Sequence, residues 1–321
     1  MARTVSAADQ DRLLGLLADG RWHRGEDLAQ GFGISRAAIA GRVQKLAERG
    51  VDVSSEPGRG YRLAAPLSLL DAEAIRAAAG DTACRIEVAG WIDSTNARLL
   101  AADPAGDPQA LVAEAQSAGR GRLERRWQSP PGENIYLSLA RGFEQWPQPV
   151  GCLPLAVGVA VWRVLRGLGL EQVRIKWPND LWVDGRKLGG ILIEQRGELG
   201  GRCRVVVGVG LNAGRAPAGL DEATGLAELL GEAAPARNRL AGELVRDIDA
   251  ALTSFSASGF VPFAHDFERA DLLRNQPVRV RFGERWQDGV AVGIRSDGAL
   301  QLRGDEGLQA VHAGDVSVRP A

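Results

Sequence analysis

The sequence predicts an α+β multidomain chain: a winged helix-turn-helix over residues 1–65, a mixed α/β domain over 66–270 and a small β-barrel over 271–321. Three observations predict it. Helical apolar stripes around a Gly-Phe-Gly turn lead into a short hairpin near residue 60. Helices and strands then alternate through the middle of the chain. From about residue 271 only strands and glycine turns remain. At 321 residues the chain is long for one domain and suits two or three.

Leu13, Leu14, Leu16 and Leu17 form a helical stripe that stops near Gly20. A second helix is expected from Glu26 to about Gln30, with Gly31-Phe32-Gly33 as the turn. Ser35 suits the N-cap of a third helix that runs to Arg49 and ends at Gly50. Ile39, Val43 and Leu46 share one face of that helix. The other carries Ala37, Ala38, Gly41, Gln44 and Lys45, with Arg36 and Arg42 on its flanks. Val51–Leu63 reads as two strands around Pro57-Gly58-Arg59-Gly60. A small-residue, basic helix face beside an arginine-tipped hairpin suits a helix in a DNA major groove and a wing on phosphate. Ser35, Arg36, Arg42, Lys45 and Arg59 are therefore the candidate DNA contacts. The competing reading is a helical protein-interaction domain; a net charge of +2 over residues 1–65 also leaves open a winged domain that has lost DNA binding.

Ala64-Ala65-Pro66 is a linker. Helices follow at 71–79 and 94–102, then strands at 110–116 and 134–140, the latter alternating Ile135, Leu137 and Leu139 with Tyr136 and Ser138. Residues 153–168 form a strongly apolar helix, and 173–177 a strand. Strands at 181–183 and 187–194 flank Asp184-Gly185, a favoured two-residue hairpin turn. A strand at 204–210, a loop-rich stretch at 215–237 and an amphipathic helix at 238–254 complete the middle domain. The five short strands after residue 277 suit a small barrel docked on it.

A net charge of −1 gives no global pull toward nucleic acid, so DNA binding must come from a local patch. Cys84, Cys152 and Cys203 are scattered, as are His23, His265 and His312. That argues against a protein-ligated metal and for a reducing, cytoplasmic setting. Arg3, Asp9, Asp11 and Arg12 interrupt any signal core, and no stretch is expected to span a membrane. Gly208-x-Gly210 follows a strand, but Gly214 falls one position too late for a dinucleotide fingerprint. The chain has no P-loop, nucleophile elbow or HExxH pair.

Gly119-Arg120-Gly121-Arg122, continued by Arg125 and Arg126 against the single acid Glu124, sets guanidiniums on pliable backbone that suits anionic oxygens. Alone, it reads more readily as a solvated basic loop. Lys187, just before Gly189-Gly190, either projects into space the glycines leave open or is a solvated hairpin lysine. Asp180 after Pro178-Asn179 is a placed carboxylate or an Asx-turn residue, and Asn212 a ligand contact or a loop cap.

Taken in order, Asp93-Ser94-Thr95-Asn96, Gln116-Ser117-Ala118-Gly119-Arg120-Gly121-Arg122, Arg126-Trp127, Lys176-Trp177-Pro178-Asn179-Asp180, Arg186-Lys187-Leu188-Gly189-Gly190-Ile191-Leu192 and Gly208-Val209-Gly210-Leu211-Asn212 closely resemble the biotin–protein ligases. Ser35-Arg36-Ala37-Ala38-Ile39 and Pro57-Gly58-Arg59-Gly60-Tyr61 resemble the DNA-binding domain of those ligases that also repress biotin synthesis. The resemblance spans the chain and thins after about residue 215.

The resemblance implies a ligase catalytic domain and an SH3-like C-terminal barrel. It implies formation of biotinyl-5′-adenylate from biotin and Mg-ATP, then transfer of biotin to one lysine of a biotin carboxyl carrier protein. It also implies a homodimer that forms when adenylate is bound and sits on operator DNA. By matching positions, Ser94, Thr95, Gln116 and Arg120 would line the end that holds the ureido ring, and Gly119 and Gly190 would admit close backbone approach. Arg122 would hold the adenylate, Lys187 would meet carboxylate and phosphate, and Asp180 would orient or deprotonate the incoming lysine. Trp127, Asn212 and Arg319 would lie near the nucleotide. One departure stands out: Glu124 takes the place of the family loop's last glycine, which predicts a loop ordered before ligand arrives through an Arg–Glu124 pair. The alternatives are a non-catalytic biotin-responsive repressor and a lipoate-type ligase.

Overall fold

The computed structural model describes residues 7–102, 106–197, 201–282, 285–305, 307–314 and 316–320. Helices α1 (Ala7–Leu17), α2 (Gly25–Phe32) and α3 (Arg36–Glu48) close with the hairpin β1 (Val53–Glu56) and β2 (Gly60–Leu63) around a core of Leu13, Leu14, Leu17, Leu28, Ile39, Leu46 and Leu63. The second helix runs through Gly31 and Phe32. The turn begins only at Gly33, whose φ of +63° makes it a left-handed cap.

The central elements are α4 (Ala72–Ala79), β3 (Arg85–Ile92), α5 (Thr95–Leu100), β4 (Gln109–Gln116), β5 (Ile135–Phe143), α6 (Leu153–Gly167), β6 (Arg174–Lys176), β7 (Asp180–Val183), β8 (Arg186–Gly197), β9 (Cys203–Leu211), α7 (Leu226–Leu230), α8 (Arg237–Ser258) and α9 (Val261–Ala270). Their strands form one sheet in the order β3-β4-β5-β9-β8-β7-β6, antiparallel except for the β3–β4 pair. α4, α6 and α8 cover one face. There Ile135, Leu137 and Leu139 meet Val205, Val207 and Val209 in the main core. α5 covers part of the other face through Leu99 against Leu111, Ala140 and Val206.

The stretch Val150–Gly167 is long and apolar enough to cross a membrane by length and composition, although Arg163 and Arg166 interrupt it. Here it is the core helix α6, packed on α8, α9 and β6–β8, with the Trp162 indole N–H donating to the Val173 carbonyl at 3.0 Å.

Two junctions fix the N-terminal unit. Asp11 on α1 abuts edge strand β3 and accepts from the Trp91 amide, and Arg49 stacks over the Trp91 ring at 5.2 Å. A Cβ on Gly90 would lie 1.8 Å from Asp11 Oδ1, so only glycine permits this seat. Burial raises the Asp11 carboxyl above its usual range. At the linker, buried Glu114 on β4 accepts from the Leu70 amide and pairs with Arg237 of α8 at 2.9 Å. Arg237 also donates to the Ser68 carbonyl at 2.6 Å.

β10 (Gln276–Phe282), β11 (Arg285–Ile294), β12 (Leu300–Gly304), β13 (Gly307–Val311) and β14 (Val316–Pro320) form a five-stranded antiparallel sheet in the order β13-β12-β11-β10-β14. Among the described residues no ladder joins β13 to β14. Trp177 Nε1 donates to the Gly298 carbonyl at 2.9 Å, and Leu272 donates to the Ile175 carbonyl at 2.9 Å, which ties this sheet to β6.

Asp271, at that junction, is pushed up to about 6 by burial, against its bond from the Leu273 amide and the nearby Arg274. The unfolded carboxyl ionises near ~4. Between those values the folded chain keeps a proton that the unfolded chain has lost, so stability falls as pH rises through this window. Asp271→Asn is therefore expected to stabilise the protein by about 1 kcal/mol at neutral pH and by almost nothing near pH ~4, read from urea unfolding at both.

Candidate functional site

The period-two alternation that sends valines of β9 into the core turns Gly208 and Gly210 to the opposite face. Register sets Gly210 opposite Gly190 of β8, and Gly190 opposite Asp180 of β7. Three glycines thus make a floor without side chains in mid-sheet. A cavity of about 840 Å3 lies over it, walled by Ser94, Thr95, Gln116, Arg120, Arg122, Trp127, Lys176, Asp180, Lys187 and Asn212. The Trp127 ring lies on the floor: a Cβ on Gly210 would stand 2.4 Å from it.

One end of the cavity is a hydrogen-bonded chain. The Thr95 amide and hydroxyl both donate to Gln116 Oε1, at 2.9 and 3.1 Å, and Gln116 Nε2 donates to Ser129 Oγ at 3.1 Å. The Ser138 hydroxyl lies 2.7 Å from Thr95 Oγ1 and 2.5 Å from Asn96 Oδ1. Ser94 caps α5, accepting from the Ala97 amide at 3.3 Å.

The other end is cationic. Lys187 Nζ sits 2.7 Å from Asp180 Oδ1 and 5.5 Å from the Trp127 ring centre. Buried Lys176 stacks over Trp182 at 4.1 Å. Lys187 is gripped through its main chain: its amide donates to the Glu222 carbonyl at 2.7 Å, and its carbonyl accepts from the Thr224 amide at 2.9 Å. The loop-rich stretch thereby reaches the cavity, with Pro217, Gly219 and Leu220–Ala223 on its wall. Asn212 Nδ2 donates to the Thr224 carbonyl at 2.9 Å, so this residue anchors that stretch and lines the cavity.

The arginine loop folds back on itself, with Gly121 donating to the Arg125 carbonyl and Trp127 to that of Gly119. Gly119 is where the two loop strands close: an added Cβ would lie 2.7 Å from the Trp127 carbonyl oxygen, and Gly119 is not on the cavity wall. Arg120 pairs with Glu194 of β8 at 3.0 Å. Arg122 donates to Asn179 Oδ1 at 3.3 Å and to the carbonyls of Ala313 and Gly314, which bridges the loop to the C-terminal sheet. Glu124 forms no ion pair among the described residues, against expectation. It and Leu123 instead take glycine-like φ values of 54° and 55°. Order in the loop comes from Glu194 and the carbonyls. Of Arg319 only the main chain in β14, opposite Arg279, is described; its side chain lies outside the described residues.

On the N-terminal unit, Ser35 caps α3 (Ala38 amide to Oγ, 3.2 Å), and Lys45 is exposed. Arg36 is exposed beside Glu26 at 2.8 Å, and Arg59 is exposed at the wing, over Trp22 at 4.5 Å and paired with Glu56. Arg42 is a correction. It is only 5% exposed, pairs with Asp9 at 3.0 Å and stacks over Phe32 at 4.9 Å, so it ties α3 to α1 and α2 instead of facing outward.

Sequence reasoning did not single out Lys176, Asn96, Asn179, Ser138 or Glu194. The first three lie inside motifs already quoted. Ser138 is a polar residue inside the apolar run 135–140, which is the signal that marks it, whereas Glu194 leads into the polar Gln195-Arg196 and nothing in the sequence sets it apart.

Comparison with known proteins agrees with this geometry. Residues 89–212 match the biotin/lipoate A/B protein ligase family, 275–319 a biotin protein ligase C-terminal domain and 10–62 a helix-turn-helix domain. The bifunctional ligase/repressor BirA of Salmonella typhimurium is 40% identical over 96% of this chain and 97% of its own length. The biotin–[acetyl-CoA-carboxylase] ligase of Mycobacterium tuberculosis is 37% identical over 72% of this chain and 88% of its own. A solved biotin protein ligase from Aquifex aeolicus, in complex with biotin and ATP, superposes with a TM-score of 0.63 at 28% identity, covering 74% of this chain and 99% of that one. The chain belongs to the biotin protein ligase family, on the branch of the bifunctional ligase/repressors.

Proposed function

We infer that this protein is a biotin–[acetyl-CoA-carboxylase] ligase that activates biotin with ATP, transfers it to a carrier-protein lysine, and acts as a repressor through its helix-turn-helix domain. The observation that supports it best is the convergence of Arg122, Lys176 and Lys187 on one cavity with a glycine floor, with Ser94, Thr95, Gln116 and Arg120 on its wall to take the biotin ring end. Joining a carboxylate to an α-phosphate brings two anions together, and fixed cations in a walled site lower that cost. A biotin carboxylate oxygen attacks the α-phosphorus and pyrophosphate leaves. The acceptor amine then attacks the acyl carbon and AMP leaves. The amine must first lose a proton, since its reference pKa is ~10.4. Asp180 is the base we assign. Lys187 holds it at 2.7 Å, and as Lys187 turns to phosphate the carboxylate becomes available to the amine. Magnesium enters as the nucleotide's counterion.

Incubation with biotin, ATP, magnesium and a biotin carboxyl carrier domain, followed by mass measurement of the carrier, tests the ligase reading. An unmodified carrier sinks it. Competition between biotin and lipoate separates the two ligase types.

We further propose that adenylate-bound copies pair edge to edge along β8. Edge strand β3 is covered by α1, and β6 is bridged by Asp271. β8 beyond Leu192, by contrast, pairs only with β9 among the described residues. Such a dimer presents two α3 helices and two wings to a palindromic operator. Arg59→Ala is expected to weaken DNA binding about equally across sequences and to reduce the salt slope by about 1, with carrier biotinylation unchanged. An unaltered slope in filter binding across a salt series removes Arg59 from the interface.

A further inference from the structure

We infer that Glu194 is a positioning residue for biotin: its carboxylate fixes the Arg120 guanidinium beside the cavity and joins it to the network that presents Thr95 and Gln116. The inference rests on the reading above, in which Arg120 and that network hold the biotin end.

Arg120 hangs on backbone flanked by Gly119 and Gly121, which by itself leaves its guanidinium many positions. Glu194 stands on β8, a strand paired with β9 at that point, and is not on the cavity wall. Its oxygens lie 3.0 and 3.2 Å from Arg120 Nη2, and Oε2 accepts from Asn96 Nδ2 at 2.8 Å. Asn96 is itself pinned. Ser138 Oγ is 2.5 Å from its Oδ1, and a Cβ on Gly208 would stand 2.4 Å from that same oxygen. Ser138 in turn holds Thr95, and Thr95 holds Gln116. A run of bonds therefore leads from the arginine loop through β8, α5 and β5 to the end of β4. The Arg120 side chain is 37% exposed, so the ion pair contributes little to stability. Its effect is on where the guanidinium stands before ligand arrives.

The test compares Glu194→Gln, which keeps the shape and an acceptor for Asn96, with Glu194→Ala, Arg120→Ala and the double alanine variant. The full-length protein is assayed by ATP–pyrophosphate exchange at varied biotin. KM for biotin is expected to rise on the order of tenfold in both Glu194 variants. kcat at saturating biotin and KM for ATP stay within about twofold, and Glu194→Ala adds nothing to Arg120→Ala. An unchanged KM for biotin in the Glu194 variants while Arg120→Ala raises it overturns the inference and leaves the biotin site standing. Multiplying effects in the double variant overturn it as well. If Arg120→Ala itself leaves KM for biotin unchanged, the inference falls together with the assignment of that end of the cavity.

Discussion

Lys187→Ala is expected to lower the rate of adenylate formation by on the order of 10²–10³-fold, with biotin binding changed far less. The ammonium sits at the cationic end, between Asp180 at 2.7 Å and the Trp127 ring. No other side chain among the described residues makes an ion pair with Asp180. The substitution should not disturb the fold, because both ties to the 222–224 segment run through main-chain atoms of residue 187 and survive it. Removing the ammonium leaves Asp180 beside the point where two further anions must meet, and that repulsion adds to the lost attraction. Pyrophosphate exchange gives the rate, and isothermal titration with biotin gives the binding. Loss of biotin binding on the same scale as the rate would reassign Lys187 to holding substrate.

Arg122→Ala is expected to slow carrier biotinylation on the order of 10²-fold and to let adenylate escape into solution. Arg122 holds the loop tip to Asn179 on one side and to the Ala313 and Gly314 carbonyls on the other. Without it the tip loses its anchor to the C-terminal sheet, and water reaches the mixed anhydride. Quenched samples run by chromatography report free biotinyl-adenylate. Full retention of adenylate with an unaltered transfer rate would falsify the role.

Much of this fold was legible in the sequence because local patterns carry it. Leu13 to Leu17, the Ser35 cap, the Asp184-Gly185 turn and the alternation from Ile135 to Leu139 each specify an element without help from distant residues. Strand β3 was not legible. It is an edge strand with most positions only half-buried, with Arg85 and Glu87 in its first half and Gly90 in its second, which blurs the strand pattern. α9 was hidden too, since Phe263 and Phe267 lie among polar residues and the helix is only 10 residues long. In the site, residue identities were legible through resemblance, whereas partners were not. Arg42 reads as a surface cation until Asp9 is found 33 positions away. Glu124 reads as an ion-pair partner until its positive φ aligns it with the backbone of a glycine. Glu194 is visible only once β8 is laid beside the loop.

Glu114 and Gln116 are two residues apart on β4, about 7 Å along the strand; the first reaches toward α8 and the second toward α5. The first grips Leu70 and, through Arg237, Ser68; the second grips Thr95. A stiff rod with a handle at each of those points transmits any tug. Whatever a bound vitamin does to the tilt of that strand tip reaches, within a single hydrogen bond, the tether from which the helix-turn-helix hangs.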